Sequence, residues 1–283
     1  MQTKKGKIKM KVSNLVFTSV LLLGTVVLSE TSFADVTYPQ SAKTEGIVNF
    51  KDSDGTQTPV DPTDPEPGEV APTPPNGTTG LLRLDQVPNL DFGTIEIKGQ
   101  EVKAPASYVK LNNLEGELLY FVPAYFQVTD ERGTNAGWTV TTGLTAFKAM
   151  DKTTGAPVAG VENLKGASIT FDNGQLMNHS GLNDQEIAVL SPEVNNGITL
   201  VAEDGAPSQT MLSANVDEGM GVWTESFYVN DGSLSAPPTS QVAKSDESIE
   251  LSVPGTARKS KEYNYVSTIT WTLAATPEAV KGL

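Results

Sequence analysis

The feature that most constrains the fold is a run of alternating residue types late in the chain. Between residues 263 and 273, the odd positions carry Tyr, Tyr, Ser, Ile, Trp and Leu, and the even positions carry Asn, Val and three threonines. Successive side chains of a β-strand point to opposite faces of the sheet. This pattern therefore predicts a long strand with one buried face and one solvent-facing face.

The same two-residue period recurs in earlier segments, and together these segments predict an all-β fold. Combinations of Asp, Asn and Gly that favour tight turns separate several of them. No segment keeps a helical period for long, although residues 182–190 could form two helical turns. We expect a single antiparallel β-sandwich or barrel-like domain over residues 81–283. Further strands are predicted at residues 90–97, 120–128, 138–146, 167–171, 198–202, 222–229 and 248–253.

The N-terminal residues 1–34 have the pattern of a signal peptide. They carry five lysines, then an apolar run from Leu15 to Leu28, and small residues before a cleavage point predicted after Ala34. A membrane-spanning helix needs about 20 apolar residues, and this run is shorter. We therefore expect export of the chain and no membrane span in the mature protein.

Two short segments separate the predicted signal peptide from the predicted domain. Residues 35–57 form a short N-terminal segment with one strand candidate, at residues 46–50. Residues 58–80 are acidic and rich in proline. Proline-rich chains cannot donate regularly to a sheet and favour an extended polyproline II conformation. The sequence therefore predicts a linker that acts as a spacer.

Charge and composition exclude several classes of function. The chain has a net charge of −14, and without residues 1–34 it keeps 15 basic and 33 acidic residues, a net charge of −18. This excess of carboxylates argues against binding to nucleic acid or to anionic lipid. The absence of cysteine excludes disulfides, thiolate zinc sites and a cysteine nucleophile, and a single histidine excludes a multi-histidine metal centre. We expect no cofactor and no metal.

Two tryptophan motifs carry a family resemblance. They are Trp138-Thr139-Val140 and, 133 residues later, Trp271-Thr272-Leu273. Further segments accompany them in order, at residues 128–137, 164–171, 219–223 and 251–254. Over residues 81–277 this set resembles the WxL-domain surface proteins of Gram-positive bacteria. The second motif matches the family pattern, whereas the first has Val140 where the family has Leu.

The resemblance implies a non-catalytic protein that is secreted and attached non-covalently to a Gram-positive cell wall. The implied ligand of the domain is peptidoglycan. The resemblance also implies a membrane-anchored companion surface protein, so the alternative is an interaction subunit held by that companion. We expect no catalytic residues, since the chain carries neither a nucleophile-elbow motif nor a phosphate-binding glycine loop.

The aromatic residues of the motif segments are the candidate contacts. A protein at net −18 is repelled by anionic wall polymers, so binding must rely on short-range contacts. Trp138 and Trp271 lie on the same alternation face as apolar neighbours, which favours a core position, and stacking on a ligand is the alternative. The same two interpretations apply to Trp223. Tyr263 and Tyr265 are further aromatic contact candidates.

Overall fold

The structure is a computed structural model that describes residues 45–56, 58–64, 68–72, 76–230 and 247–275. The predicted signal peptide lies outside these residues. The chain divides into two compact units, residues 1–49 and 50–283. The strand predicted at 46–50 is not formed: these residues have no regular secondary structure, and Ile47, Val48 and Phe50 are exposed.

The described residues contain seventeen strands and one helix. The strands are β1 (Ala71–Pro72), β2 (Leu82–Gln86), β3 (Val102–Pro105), β4 (Val109–Asn112), β5 (Leu118–Val122), β6 (Tyr125–Asp130), β7 (Trp138–Leu144), β8 (Lys148–Asp151), β9 (Ser168–Phe171), β10 (Gly174–Asn178), β11 (Glu193–Val194), β12 (Ile198–Val201), β13 (Gln209–Ala214), β14 (Gly221–Phe227), β15 (Ile249–Val253), β16 (Tyr263–Val266) and β17 (Ile269–Ala274). The helix is α1 (Asp184–Leu190).

All strand pairs are antiparallel, and the described strands do not close into a barrel. The sheet orders are β1-β4-β5, β10-β14-β6-β2, β11-β13-β7-β17, β12-β9-β15-β3 and β16-β8. The prediction of an all-β fold is therefore confirmed, in its sandwich-like form.

One hydrophobic core is shared by the three four-stranded sheets. Phe126 of β6 lies 5.0 Å from Trp271 of β17 between ring centroids, and Phe171 of β9 lies 6.1 Å from the same indole. Phe227 of β14 completes the group, 5.2 Å from Phe171. Because each sheet contributes a ring, this aromatic group joins the sheets. A smaller cluster of Val70, Leu111, Val122 and Tyr125 lies under the three-stranded sheet.

The short helix α1 forms where the sequence allows two helical turns. The side chain of Asn183 accepts from the backbone N–H groups of Gln185 and Glu186, and the Glu186 carboxylate accepts from the N–H of Asn183. This reciprocal capping box satisfies donors that the first helical turn leaves unpaired.

Two predicted strands are each divided between two sheets. The strand predicted at residues 120–128 is broken at Pro123, which has no backbone N–H to donate, so β5 pairs with β4 whereas β6 pairs with β14. The strand predicted at 263–273 is broken at Ser267 and Thr268, so β16 pairs with β8 and β17 with β7. At this corner Thr145 donates its N–H to the Thr268 carbonyl at 3.0 Å.

The strand predicted at residues 90–97 is wrong. These residues form a loop, in which Gly93 has a φ of +66° and donates its N–H to the Asp91 carboxylate at 2.8 Å. Leu90, Phe92 and Ile95 nevertheless pack against the core. These three residues are half-buried and Ile97 is exposed, so the segment contributes apolar contacts to the core without forming a strand.

The proline-rich segment does not behave as a free spacer in its described part. Val60 and Val70 are buried. The backbone N–H of Val60 donates to the side chain of Gln127 at 2.8 Å, and the backbone N–H of Val70 donates to the Pro59 carbonyl at 2.9 Å. The segment then continues as β1, which pairs with β4. The two valines supply apolar anchors that the proline pattern alone does not indicate.

Candidate functional site

The two tryptophan motifs lie on adjacent strands. In the antiparallel pair of β7 and β17, Val140 is the direct partner of Leu273, Thr141 of Thr272 and Thr139 of Ala274. The third positions of the two motifs therefore face each other across the strand pair. Residues 133 positions apart in the sequence form one local unit of the sheet.

Trp138 is a core residue. Its side chain has 0% exposure, and its indole N–H donates to the Gly219 carbonyl at 3.0 Å. Gly219 has a φ of +72°, and a Cβ there would lie 2.6 Å from Trp138 Nε1, so only glycine fits beneath this indole. The geometry matches the core interpretation of Trp138.

Trp223 has a similar environment. It is buried at 1% exposure, and its indole N–H donates to the Met220 carbonyl at 2.8 Å. Since Gly219 accepts from Trp138 and Met220 accepts from Trp223, two buried indoles hold consecutive carbonyls of the loop between β13 and β14. Both tryptophans therefore fix this loop to the core.

Trp271 differs from the other two tryptophans. It is half-buried and packs against Phe126 and Phe171, yet its buried indole nitrogen has no hydrogen-bond partner in the part of the chain that the structure describes. The neighbouring motif residue Thr272 is exposed, and Leu273 packs against the core. The alternation predicted for this segment is confirmed by the burial of β17.

Tyr263 and Tyr265 line a cleft of about 590 Å³, which is the size of a small-ligand site. We call it the 90–97 cleft, because that loop forms one of its walls. Both tyrosines are half-buried, and between them Asn264 is exposed. Deeper in the cleft, the lining is apolar and buried, and comes from Val102, Leu144, Leu164, Ile169, Leu251 and Val253.

The motif strands reach this cleft at their other end. Leu144 of β7 and Ile269 of β17 are direct register partners, and both line the cleft. The motif pair Val140 and Leu273 lies further along the same two strands. Pairing at the motifs therefore fixes the register of two side chains in the cleft wall.

Three lysines belong to the lining of the 90–97 cleft. Lys152 donates to the backbone carbonyl of Lys261 at 2.5 Å, and Lys259 donates to the Pro254 carbonyl at 2.7 Å. Within the described parts of the chain, none of the three lysines forms an ion pair with a carboxylate. In a protein with a net charge of −14, this is a local concentration of cations.

Sequence reasoning identified the two tyrosines but missed the rest of this cleft. The loop 90–97 was assigned to a strand, and the lysines come from separate turns that carry no recognisable motif. The alternation of the segment 263–273 indicated which side chains share a face. It could not indicate which distant turns that face would meet.

Glu225, which is buried, and His179, which is half-buried, are ionisable groups outside the cleft. Glu225 is fully buried on β14, where Leu176 and Phe126 are its partners on the two neighbouring strands. Neither of its carboxyl oxygens has a hydrogen-bond partner among the described residues, and burial raises its pKa well above the usual range. Burial also lowers the pKa of His179 to about 4, although the nearby Asp64 acts in the opposite direction. His179 Nε2 lies 2.8 Å from the Thr224 hydroxyl.

A buried ion pair on β2 is satisfied internally. Arg83 donates to one Asp85 oxygen at 2.7 Å, and Gln127 and Thr129 donate to the other oxygen at 3.0 Å and 2.5 Å. Burial raises the pKa of Asp85, and these donors oppose the shift. Since every oxygen of this carboxylate is occupied, the group is structural.

The described residues lack two features that would point to other functions. They contain no group of three or more metal-ligating side chains. They also contain no helix with the length and apolar character of a membrane span.

Comparison with known proteins identifies one family. The profile of the WxL domain, described as a surface cell wall-binding domain, matches residues 37–277. No curated protein and no solved structure matches the chain. The matching family is a family of wall-binding domains rather than of enzymes, and it places the protein at the cell surface with the cell wall as its partner. Because the match extends over most of the chain, the protein belongs to the WxL family of surface cell wall-binding domains.

Proposed function

We propose that this protein is exported by a Gram-positive bacterium and binds peptidoglycan non-covalently through the 90–97 cleft. The family assignment supports wall binding, and the sequence pattern of residues 1–34 supports export. The binding surface and the identity of the wall polymer are the steps that the proposal adds. We assign the protein no catalytic role.

The observation that carries the proposal is the pairing of Leu144 with Ile269 at the cleft wall. These residues share their strands with the two tryptophan motifs. The motif tryptophans thus act as scaffold residues, which hold β7 and β17 in the register that the cleft requires. Trp138 in particular has no exposed surface to offer a ligand.

The polar face of the cleft suits a sugar-containing polymer. Half-buried tyrosines present an aromatic face and a hydroxyl, and sugar rings pack on such faces while their hydroxyl groups form hydrogen bonds. The Tyr265 hydroxyl is held only loosely by the Arg258 carbonyl, at 3.4 Å. It therefore remains able to bond a ligand.

The test is co-sedimentation of the purified protein with purified peptidoglycan. Replacing both tyrosines, as Tyr263→Ala with Tyr265→Ala, should lower the apparent affinity about tenfold, since two aromatic contacts are lost. Tyr228→Ala, at a half-buried tyrosine outside the cleft, is the matched control. Unchanged affinity of a folded double variant would reject the cleft as the contact surface.

A second candidate function is binding to a membrane-anchored companion protein. The observation that favours it is that β17 is an edge strand of its sheet. Thr270 and Thr272 are exposed on one face of this strand. An edge strand can pair with a strand of a partner. If the folded protein stays in the supernatant with peptidoglycan but is captured by the companion, this function replaces the first.

A further inference from the structure

We propose that the 90–97 cleft binds the peptide stems of peptidoglycan rather than its bare glycan strands. This inference rests on the proposed function and specifies the part of the polymer that is recognised. Peptide stems are short chains that carry free carboxylates, free or linked amino groups, and the methyl groups of alanine. The cleft offers a matching feature for each of these chemical groups.

The lysines match the carboxylates. Each ammonium group has three N–H donors. Lys152 uses one of them on a backbone carbonyl, and Lys259 uses two, on Pro254 at 2.7 Å and Ala257 at 3.5 Å. Lys261 is exposed and lines the same cleft. Donors therefore remain on all three lysines, and bonds from an ammonium to a carboxylate are stronger than bonds to neutral groups.

Two carboxylates of the loop 90–97 match the amino groups. Asp91 and Glu96 both line the cleft and are exposed. Among the described residues, the ion-pair partner of Glu96 is Lys98 alone, at 3.6 Å, and both of these side chains are largely exposed. The cleft thus presents cations from the turns around Lys152 and Lys261, and anions from a different segment.

Because the cleft carries both charges, it should bind a zwitterionic peptide in preference to a polyphosphate. A teichoic polymer carries only negative charge along its backbone, so Asp91 and Glu96 would repel it at the same site that the lysines attract it. The protein as a whole, at net −14, adds to that repulsion. A zwitterionic peptide meets complementary charge on both sides.

The floor of the cleft matches the alanine methyl groups. Ile169, Leu251 and Val253 are buried and apolar, and Ile97 and Val266 add exposed apolar surface at the rim. Small methyl groups gain free energy when they leave water for such a surface. Sugar hydroxyls placed there would lose their hydrogen bonds.

The experiment compares three preparations of wall in a sedimentation assay with the purified protein. They are peptidoglycan freed of teichoic acid, the same material after an amidase has removed its peptide stems, and wall that retains teichoic acid. The variants are Lys152→Gln with Lys261→Gln, and the matched control Lys110→Gln with Lys165→Gln, which changes two lysines outside the cleft. Thermal unfolding verifies that each variant is folded.

The expected result is strong retention on intact peptidoglycan, loss of retention after amidase treatment, and an affinity about fivefold lower for the cleft variant but not for the control. Equal binding to stem-free glycan overturns this inference and leaves the proposed function intact. A cleft variant that binds as well as the unchanged protein also overturns this inference. Binding that requires teichoic acid overturns both the inference and the proposed ligand, peptidoglycan. Failure to bind any preparation overturns the proposed function itself.

Discussion

Trp138 donates its indole N–H to the carbonyl of Gly219 at 3.0 Å, across 81 positions of the sequence. The glycine has a φ of +72° and leaves no room for a side chain under the indole. The first tryptophan motif is therefore tied to a specific turn rather than to a ligand.

Substitution of Gly219 by alanine should destabilise the fold. The new Cβ would lie 2.5 Å from Ala214 Cβ and 2.6 Å from Trp138 Nε1, in addition to the strain of a positive φ. Gly205→Ala is the matched control, because Gly205 has a φ of +85° and nothing within 4 Å. Chemical denaturation should show a loss of about 1 to 3 kcal/mol for the control and a larger loss for Gly219→Ala. Equal losses would contradict the packing described here.

Replacing tryptophan by phenylalanine, which removes the indole N–H, should reduce stability more at Trp138 than at Trp271. Trp138→Phe leaves the buried Gly219 carbonyl without its donor, which costs about 1 to 3 kcal/mol beyond the change in packing. Trp271→Phe removes a buried donor that has no partner, so it should cost less. Urea denaturation of both variants measures the difference. A greater loss for Trp271→Phe would show that its indole N–H has a partner in solution.

Glu225 should make the protein less stable as the pH rises. Burial keeps its carboxyl protonated in the folded state, whereas the unfolded chain releases that proton above its ordinary pKa of 4.5. The folded state then holds more protons than the unfolded state, so the free energy of unfolding falls as the pH rises from 4.5 towards the raised pKa. Glu225→Gln should remove this slope in denaturation measured across that range. The control is Glu203→Gln, at an exposed glutamate, which should leave the slope in place. Identical profiles of stability against pH for the unchanged protein and both variants would count against a neutral Glu225.

His179 should make the protein less stable as the pH falls, which is the opposite of the effect of Glu225. Its pKa is about 4 in the folded state and 6.5 in the unfolded state, so the unfolded chain takes up a proton first as the pH falls. Stability from this residue is complete above 6.5 and is lost as the pH falls towards 4. As the sole histidine, it gives one imidazole signal in a proton NMR titration. A midpoint near 6.5 in the folded protein would contradict its burial.

The alternation of residue types predicted much of the fold because it reports directly on burial. It located the strands β7, β14 and β17, and the pair Asn173 and Gly174 marked the break between β9 and β10, where Asn173 has a φ of +53° and the chain passes from one sheet to another. The two-residue alternation does not indicate which strands pair with each other in a sheet. The division of residues 263–273 between two sheets therefore depends on contacts with Thr145, which no local pattern reveals.

The candidate site was less predictable than the fold. Tyr263 and Tyr265 could be identified as contact candidates from the alternating strand, but Lys152 and Lys261 come together only through the pairing of β8 with β16 and the turns beside it. The loop 90–97 resembles a strand in its sequence because it carries apolar residues, which pack against the core without strand pairing. Burial of Val60 and Val70 similarly overrode the extended tendency of a proline-rich segment.

The pairing of β7 with β17 also has a consequence for the order of assembly. Among the described strands, β17 comes last in the chain, and its partner β7 lies near the middle. A polypeptide that leaves the ribosome or a translocation pore N-terminus first cannot join these two strands until β17 has emerged. The side chains of Leu144 and Ile269 thus meet only after all the other described strands have emerged, so the wall of the 90–97 cleft is among the last parts of the described fold to form.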